Sequence, residues 1–120
     1  MPDWREQMKQ LLVLSLMLGV SGCASYSEMQ GKPPVFEGQT QKSPEAFVAC
    51  AAPKILEIWS LARVIPDGSS QVIVVTDPNG VGTTLTLTAT PSERGSRVAL
   101  RQMVSLRTFE REWSLAKACL

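Results

Sequence analysis

The chain has 120 residues, with twelve lysines and arginines against eleven aspartates and glutamates, three cysteines and no histidine. A balance this even, with no basic stripe, speaks against nucleic acid as a partner. The missing imidazole removes the ordinary catalytic triad and the usual acid–base partner, and it disfavours a metal site.

The first element is an apolar run, Leu11-Leu12-Val13-Leu14-Ser15-Leu16-Met17-Leu18-Gly19, followed by Val20-Ser21-Gly22-Cys23. A run of about ten residues is too short for a permanent membrane span, which needs roughly 20. It fits the apolar core of a secretory signal, typically about 7–15 residues ending in small side chains. Gly19, Ser21 and Gly22 would break a buried helix, and the polar stretch after them offers nothing to pack on. A branched apolar residue, two small residues and a cysteine resemble the lipobox of bacterial lipoproteins. The resemblance covers about the first 24 residues. It implies cleavage between Gly22 and Cys23, a diacylglycerol on the Cys23 thiol and acylation of the new amine. It also implies outer-membrane placement facing the periplasm, because Ala24 and Ser25, rather than an aspartate, follow Cys23. Signals usually open with net positive charge, yet Arg5 and Lys9 are offset here by Asp3 and Glu6. Translation starting at Met8 would supply the cleaner opening Met8-Lys9-Gln10.

Residues 1–22 thus read as a cleaved signal peptide, leaving Cys23–Leu120, about a hundred residues with ten basic and nine acidic side chains. That is enough for one domain with one modest core. With Cys23 acylated, Cys50 and Cys119 form an even pair in an exported chain, and the economical reading is a disulfide. Three acyl chains, as the resemblance implies, make the membrane attachment effectively permanent.

Residues 23–42 read as a flexible lipidated tether. They are rich in Ser, Gln, Gly and Pro, include Pro33-Pro34, and show no regular apolar rhythm. The alternative is that Val35-Phe36 docks on the domain or on a partner. Residues 43–120 then form a small α+β domain. Ser43-Pro44-Glu45 opens a helix with a capping hydroxyl, a proline at the first helical position and an acid in the first turn. Its apolar face holds Phe47, Cys50 and Ala51 and continues toward Ile55 and Ile58. Pro53 either ends this helix near Ala52 or kinks it. Trp59, at the junction with the sheet, reads as a core plug.

Four strands follow. Leu61–Ile65 ends at the turn Pro66-Asp67-Gly68-Ser69-Ser70. Gln71–Thr76 is β-branched and reads as buried on both faces. Asp77-Pro78-Asn79-Gly80 is a turn. Thr83–Thr90 alternates Leu85 and Leu87 with Thr84, Thr86 and Thr88, giving one dry and one wet face. Pro91–Gly95 turns the chain into Arg97–Met103. Ser105–Cys119 returns to helical rhythm, with Leu106, Phe109, Trp113, Ala116 and Cys119 as its stripe. Arg107, Glu110, Arg111, Glu112 and Lys117 read as its solvated face. Short connections pair neighbouring strands in order, so the expected architecture is helix, antiparallel meander of three to four strands, then helix. With both helices on the dry face, the Cys50–Cys119 bridge staples a two-layer sandwich.

No catalytic constellation emerges. Asp67, Asp77 and Glu93 lie in turns, where acids are common for local reasons. Gly80-Val81-Gly82 belongs to a hairpin rather than to a phosphate-cradling loop. No cofactor and no metal is expected. The candidate binding surface is the threonine ladder Thr84, Thr86 and Thr88 with Arg97 and Arg101 beside it, a flat polar face with cationic edges. A free sheet edge is a second, less specific surface. The expected function is a non-enzymatic accessory module of a cell-envelope assembly, held to the membrane by its N-terminal lipid and bound to a protein partner. The alternative is a binder or inhibitor of a periplasmic hydrolase or small ligand, for which Pro66–Ser70 or Pro91–Gly95 would protrude as the anchoring loop.

Overall fold

The computed structural model describes residues 4–11, 24–79, 82–103 and 109–120. Val20–Cys23, with the acylation and cleavage positions, lies outside the described residues, and so do Ser105, Leu106 and Arg107 of the expected last helix. Residues 4–11 are helical (α1) and exposed along their length. The elements that follow are α2 (Ala24–Gly31), β1 (Phe36–Thr40), α3 (Pro44–Ile58), β2 (Ala62–Asp67), β3 (Ser70–Thr76), β4 (Thr83–Ser92), β5 (Gly95–Gln102) and α4 (Glu110–Lys117). No helix among the described residues is long and apolar enough to cross a membrane.

The fold is α+β, built on an antiparallel meander with a long helix before it and a helix at the C-terminus. Five strands pair in the order β1-β5-β4-β3-β2. The register aligns Ile73 with Leu87, Leu87 with Leu100 and Leu100 with Phe36, so one face carries these side chains. Val75, Leu85, Ala89 and Val98 share that face and pack with Phe47, Val48, Ala51, Ala52 and Ile55 of α3. Alternation in the strands and the three- to four-residue spacing in the helix therefore meet in a single core.

Helix α3 starts as its sequence requires: the Ser43 hydroxyl accepts from the Ala46 amide at 3.2 Å, and Pro44 takes the first turn. It runs through Pro53 without ending. Pro53 is exposed, so water can bond the Ala49 carbonyl that the proline leaves without an amide. Cys50 of α3 bridges Cys119 just past α4, with Cα atoms 5.8 Å apart and a sequence separation of 69. Trp59 plugs the junction as expected, edge-on to Phe109.

Several boundaries differ from the sequence reading. The segment read as a flexible spacer contains a helix and a strand. Phe36–Thr40 pairs along β5, with Phe36 stacked on Trp113 at 5.5 Å between ring centroids. The domain therefore begins well before residue 43, and the docking alternative for Phe36 describes the structure better. Gly38 of β1 faces Trp113 and Leu120, where a side chain would crowd both. Strand β2 continues through Pro66 and Asp67, leaving Gly68-Ser69 as a two-residue turn with Gly68 at φ +60°. β2 is an edge strand, where a proline without an N–H costs no ladder bond on the outer side. Likewise β4 and β5 run to Ser92 and Gly95 and close over Glu93-Arg94 alone. Helix α4 is a short piece of the expected last helix, beginning at Glu110 with no side-chain cap at Phe109. Finally, α2 lies on the second face of the sheet, against β4 and β5. A third layer thus covers part of the face expected to be wet.

Candidate binding surface

The register sets Val72, Val74, Thr86, Thr88, Ala99, Arg97 and Arg101 on this second face, opposite the α3 core. Helix α2 crosses it. Its Met29, fully buried, belongs to this side, and Val72, Val74, Thr86, Thr88 and Ala99 are buried. The Gln30 amide lies 3.5 Å from the Thr88 hydroxyl and donates at 2.9 Å to the Tyr26 oxygen. The Tyr26 hydroxyl donates to Asp67 at 3.1 Å. Beyond the helix end, Arg101 Nε donates to the Lys32 carbonyl at 2.9 Å, and Lys32 Nζ donates to the Met103 carbonyl at 2.7 Å.

The threonine ladder is therefore not an open wet face. Thr86 and Thr88 sit beneath α2, and only Thr84 stays half-exposed. The alternation correctly puts Leu and Thr on opposite faces, but covering of the Thr side is a tertiary event. The Thr86 hydroxyl, fully buried, has no hydrogen-bond partner. Arg101 is committed to the Lys32 carbonyl. Burial raises the Tyr26 phenol above its ordinary pKa. The Gln30 hydrogen bond opposes the rise, the Asp67 hydrogen bond and charge add to it, and the Arg101 charge opposes it.

Arg97 ends elsewhere. It lies on β5 opposite Thr90 on one side and Gln39 on the other, past the edge of α2. With Gln39, Thr90, Ser92, Glu93 and Arg94 it lines an open concavity of about 610 Å³. Two guanidiniums, an amide and two hydroxyls offer donors suited to carboxylates, with Glu93 as the opposing charge. Among the described residues neither Arg94 nor Arg97 is in an ion pair. Gln39, Thr90 and Arg94 were not singled out in the sequence. Gln39 reaches the site only because β1 exists, and Arg94 only because the β4–β5 turn is two residues long.

The acids considered for chemistry have local tasks. Asp77 accepts from the Asn79 amide at 2.8 Å within its own turn, and Asp67 holds Tyr26. Glu112, read as part of a solvated face, is buried. It accepts from Trp59 Nε1 at 3.1 Å and from Arg111 at 3.2 Å, fixing α4 to the end of α3. Among the described residues no group of three His, Cys, Asp or Glu side chains could hold a metal ion.

Set beside family models, curated proteins and solved structures, the chain matches none of them.

Proposed function

We propose that the chain is a non-enzymatic lipoprotein, acylated at Cys23, held on the periplasmic side of the outer membrane, and serving as an accessory module of an envelope assembly. The observation that carries this reading is the Cys50–Cys119 disulfide. Oxidised pairs belong to exported chains, and the bridge leaves Cys23, directly behind the apolar run, as the one cysteine outside it. The partner-facing surface in this proposal is the Arg94–Arg97 concavity. Its donors fit acidic side chains of a protein, and it is open to solvent. The inhibitor reading has less to draw on, because both loops proposed as protruding anchors close as two-residue hairpins.

Two substitutions test the proposal. Cys23→Ser should shift the protein out of the membrane fraction or leave its signal uncleaved; normal membrane retention with normal processing would contradict the acylation. A photo-crosslinking side chain at Gln39 should give a discrete protein adduct in intact envelopes, and Arg94→Glu with Arg97→Glu should abolish it. An adduct that survives the double charge reversal would move the partner to another surface.

A further inference from the structure

We infer that α2 is a releasable strap, alternately docked on the second sheet face and free, and that its release lengthens the anchor and uncovers the threonines of β4. The inference about reach rests on the acylation of Cys23; the docking equilibrium does not.

Ala24–Gly31 reads Ala-Ser-Tyr-Ser-Glu-Met-Gln-Gly, with two serines and a terminal glycine. Eight residues are well short of the roughly 12–15 that an isolated helix needs even in a favourable sequence. The segment is helical because it is docked. Yet its hold is small: from Tyr26 to Gly31 it fully buries Met29 alone, whereas α3 buries Phe47, Val48, Ala51, Ala52 and Ile55. The other ties are polar and lie toward the ends, from Tyr26 to Asp67, from Gln30 to Thr88, and across Lys32 to Arg101 and Met103. Water can replace each of them.

The surface beneath carries a matching defect. Thr86 is fully buried under the strap with an unpartnered hydroxyl. A buried donor without an acceptor is a cost confined to the docked state, and release to water removes it. A closed cover would be better served by valine at this position, which has the same shape and no hydroxyl.

The chain also contains a hinge and a stop. Gly31 ends the helix, and Pro33-Pro34 prevents it from propagating into β1. From Val35 onward the chain is locked to β5, by the Val35 amide donating to the Leu100 carbonyl at 2.8 Å and then by the ladder from Phe36. Release therefore frees residues 24–34 and no more. With the strap docked, Cys23 directly precedes the helix at Ala24, a reach of about 4 Å. With it free, Cys23 and Val35 are twelve positions apart, a reach of up to about 40 Å. The same event exposes the β4 and β5 residues of this face, Thr86, Thr88 and Ala99. One movement thus sets both how far the domain stands from its membrane and which surface it offers.

The test uses the full acylated chain in lipid nanodiscs, with spin labels on cysteines introduced at Glu28 and Arg63, both exposed. The Glu28–Arg63 distance distribution should contain a narrow docked population and a broad released one. Met29→Ser should raise the released-to-docked ratio about ten-fold, because the main apolar anchor is lost. Thr86→Val should lower it several-fold. A single narrow population in all three proteins, or a single broad one, would overturn the strap. A Cys23 that lacks acyl chains would itself take a label, so failure of the anchor appears as a third labelled site and not as a change in the two populations.

Discussion

Opening the Cys50–Cys119 bridge should be the most damaging single perturbation of this domain. The bridge spans 69 residues. Closing a loop of that length lowers the entropy of the unfolded chain by an amount worth about 4.4 kcal/mol at 25 °C. Domains of this size are typically stable by about 5–15 kcal/mol, so the contribution is a large share. At about 4–8 °C per kcal/mol for a domain this small, melting should fall by roughly 18–35 °C. The structure says where the loss concentrates. Helix α4 is eight residues long and uncapped at Phe109, and the bridge fixes the residue just past its end. The Thr40 hydroxyl and Lys42 Nζ donate to the Leu120 and Cys119 carbonyls, contacts that depend on the tail staying in place. Alanine is the right replacement, because Cys119 is fully buried and a serine there would bury a hydroxyl as well. Guanidinium unfolding of Cys50→Ala and Cys119→Ala should show comparable losses near 4 kcal/mol, with a matching loss on reduction of the native protein. A reduced protein within about 1 kcal/mol of the oxidised one would refute the argument.

The other consequences are more local. Gly95→Ala should destabilise by several kcal/mol, since the new Cβ would stand 2.2 Å from the Thr40 carbonyl at a φ of +144°. Gly68→Ala, at φ +60° in open space, should cost only about 1 kcal/mol in the same melt; equal effects would mean the β1–β5 approach is wrong. Glu112→Ala should cost about 1–3 kcal/mol by leaving Trp59 Nε1 without its acceptor, while Glu112→Gln should recover most of it. Tyr26 is the one tyrosine in the chain, so phenolate absorbance at 295 nm reports it alone. Its midpoint should lie above the ordinary value near 10, and Asp67→Asn should bring it back toward that value. Because the folded-state pKa is raised, the contribution is intact below about pH 10 and is lost as pH rises through the folded value. A midpoint at or below the ordinary value would contradict the docked position of Tyr26.

Much of the central fold was legible because local and tertiary preferences agree there. Ser43-Pro44-Glu45 starts α3 in any context, the valine-rich β3 has no competing pattern, and Cys50 and Cys119 form an even pair once Cys23 is set aside. What escaped reading lacks a local signal. Phe36–Thr40 sends one large apolar side chain, Phe36, toward the core and contains a glycine; its strand exists through the β5 ladder and the Trp113 stack. Nothing in Ala24–Gly31 announces a helix, since docking supplies the stability that composition withholds. Pro66 reads as a turn residue, and only its place on an outer strand makes it compatible with β2. Glu112 sits in a charged stretch and reads as solvated, yet faces the indole of a residue 53 positions away. Alternation separates the threonines of β4 from its leucines, but the open polar face read for Thr84, Thr86, Thr88, Arg97 and Arg101 is buried at Thr86 and Thr88. That α2 covers Thr86 and Thr88 follows from a contact between distant segments, which periodicity within one strand does not encode.

The claim on which compartment, anchor and reach all depend is acylation at Cys23. Intact-mass and N-terminal peptide analysis of the protein extracted from native membranes reads it directly. The expected product is a chain beginning at Cys23, carrying a diacylglycerol on sulfur and a third acyl group on the new amine. A chain beginning at Met1 or Met8, with an unmodified Cys23, would contradict it.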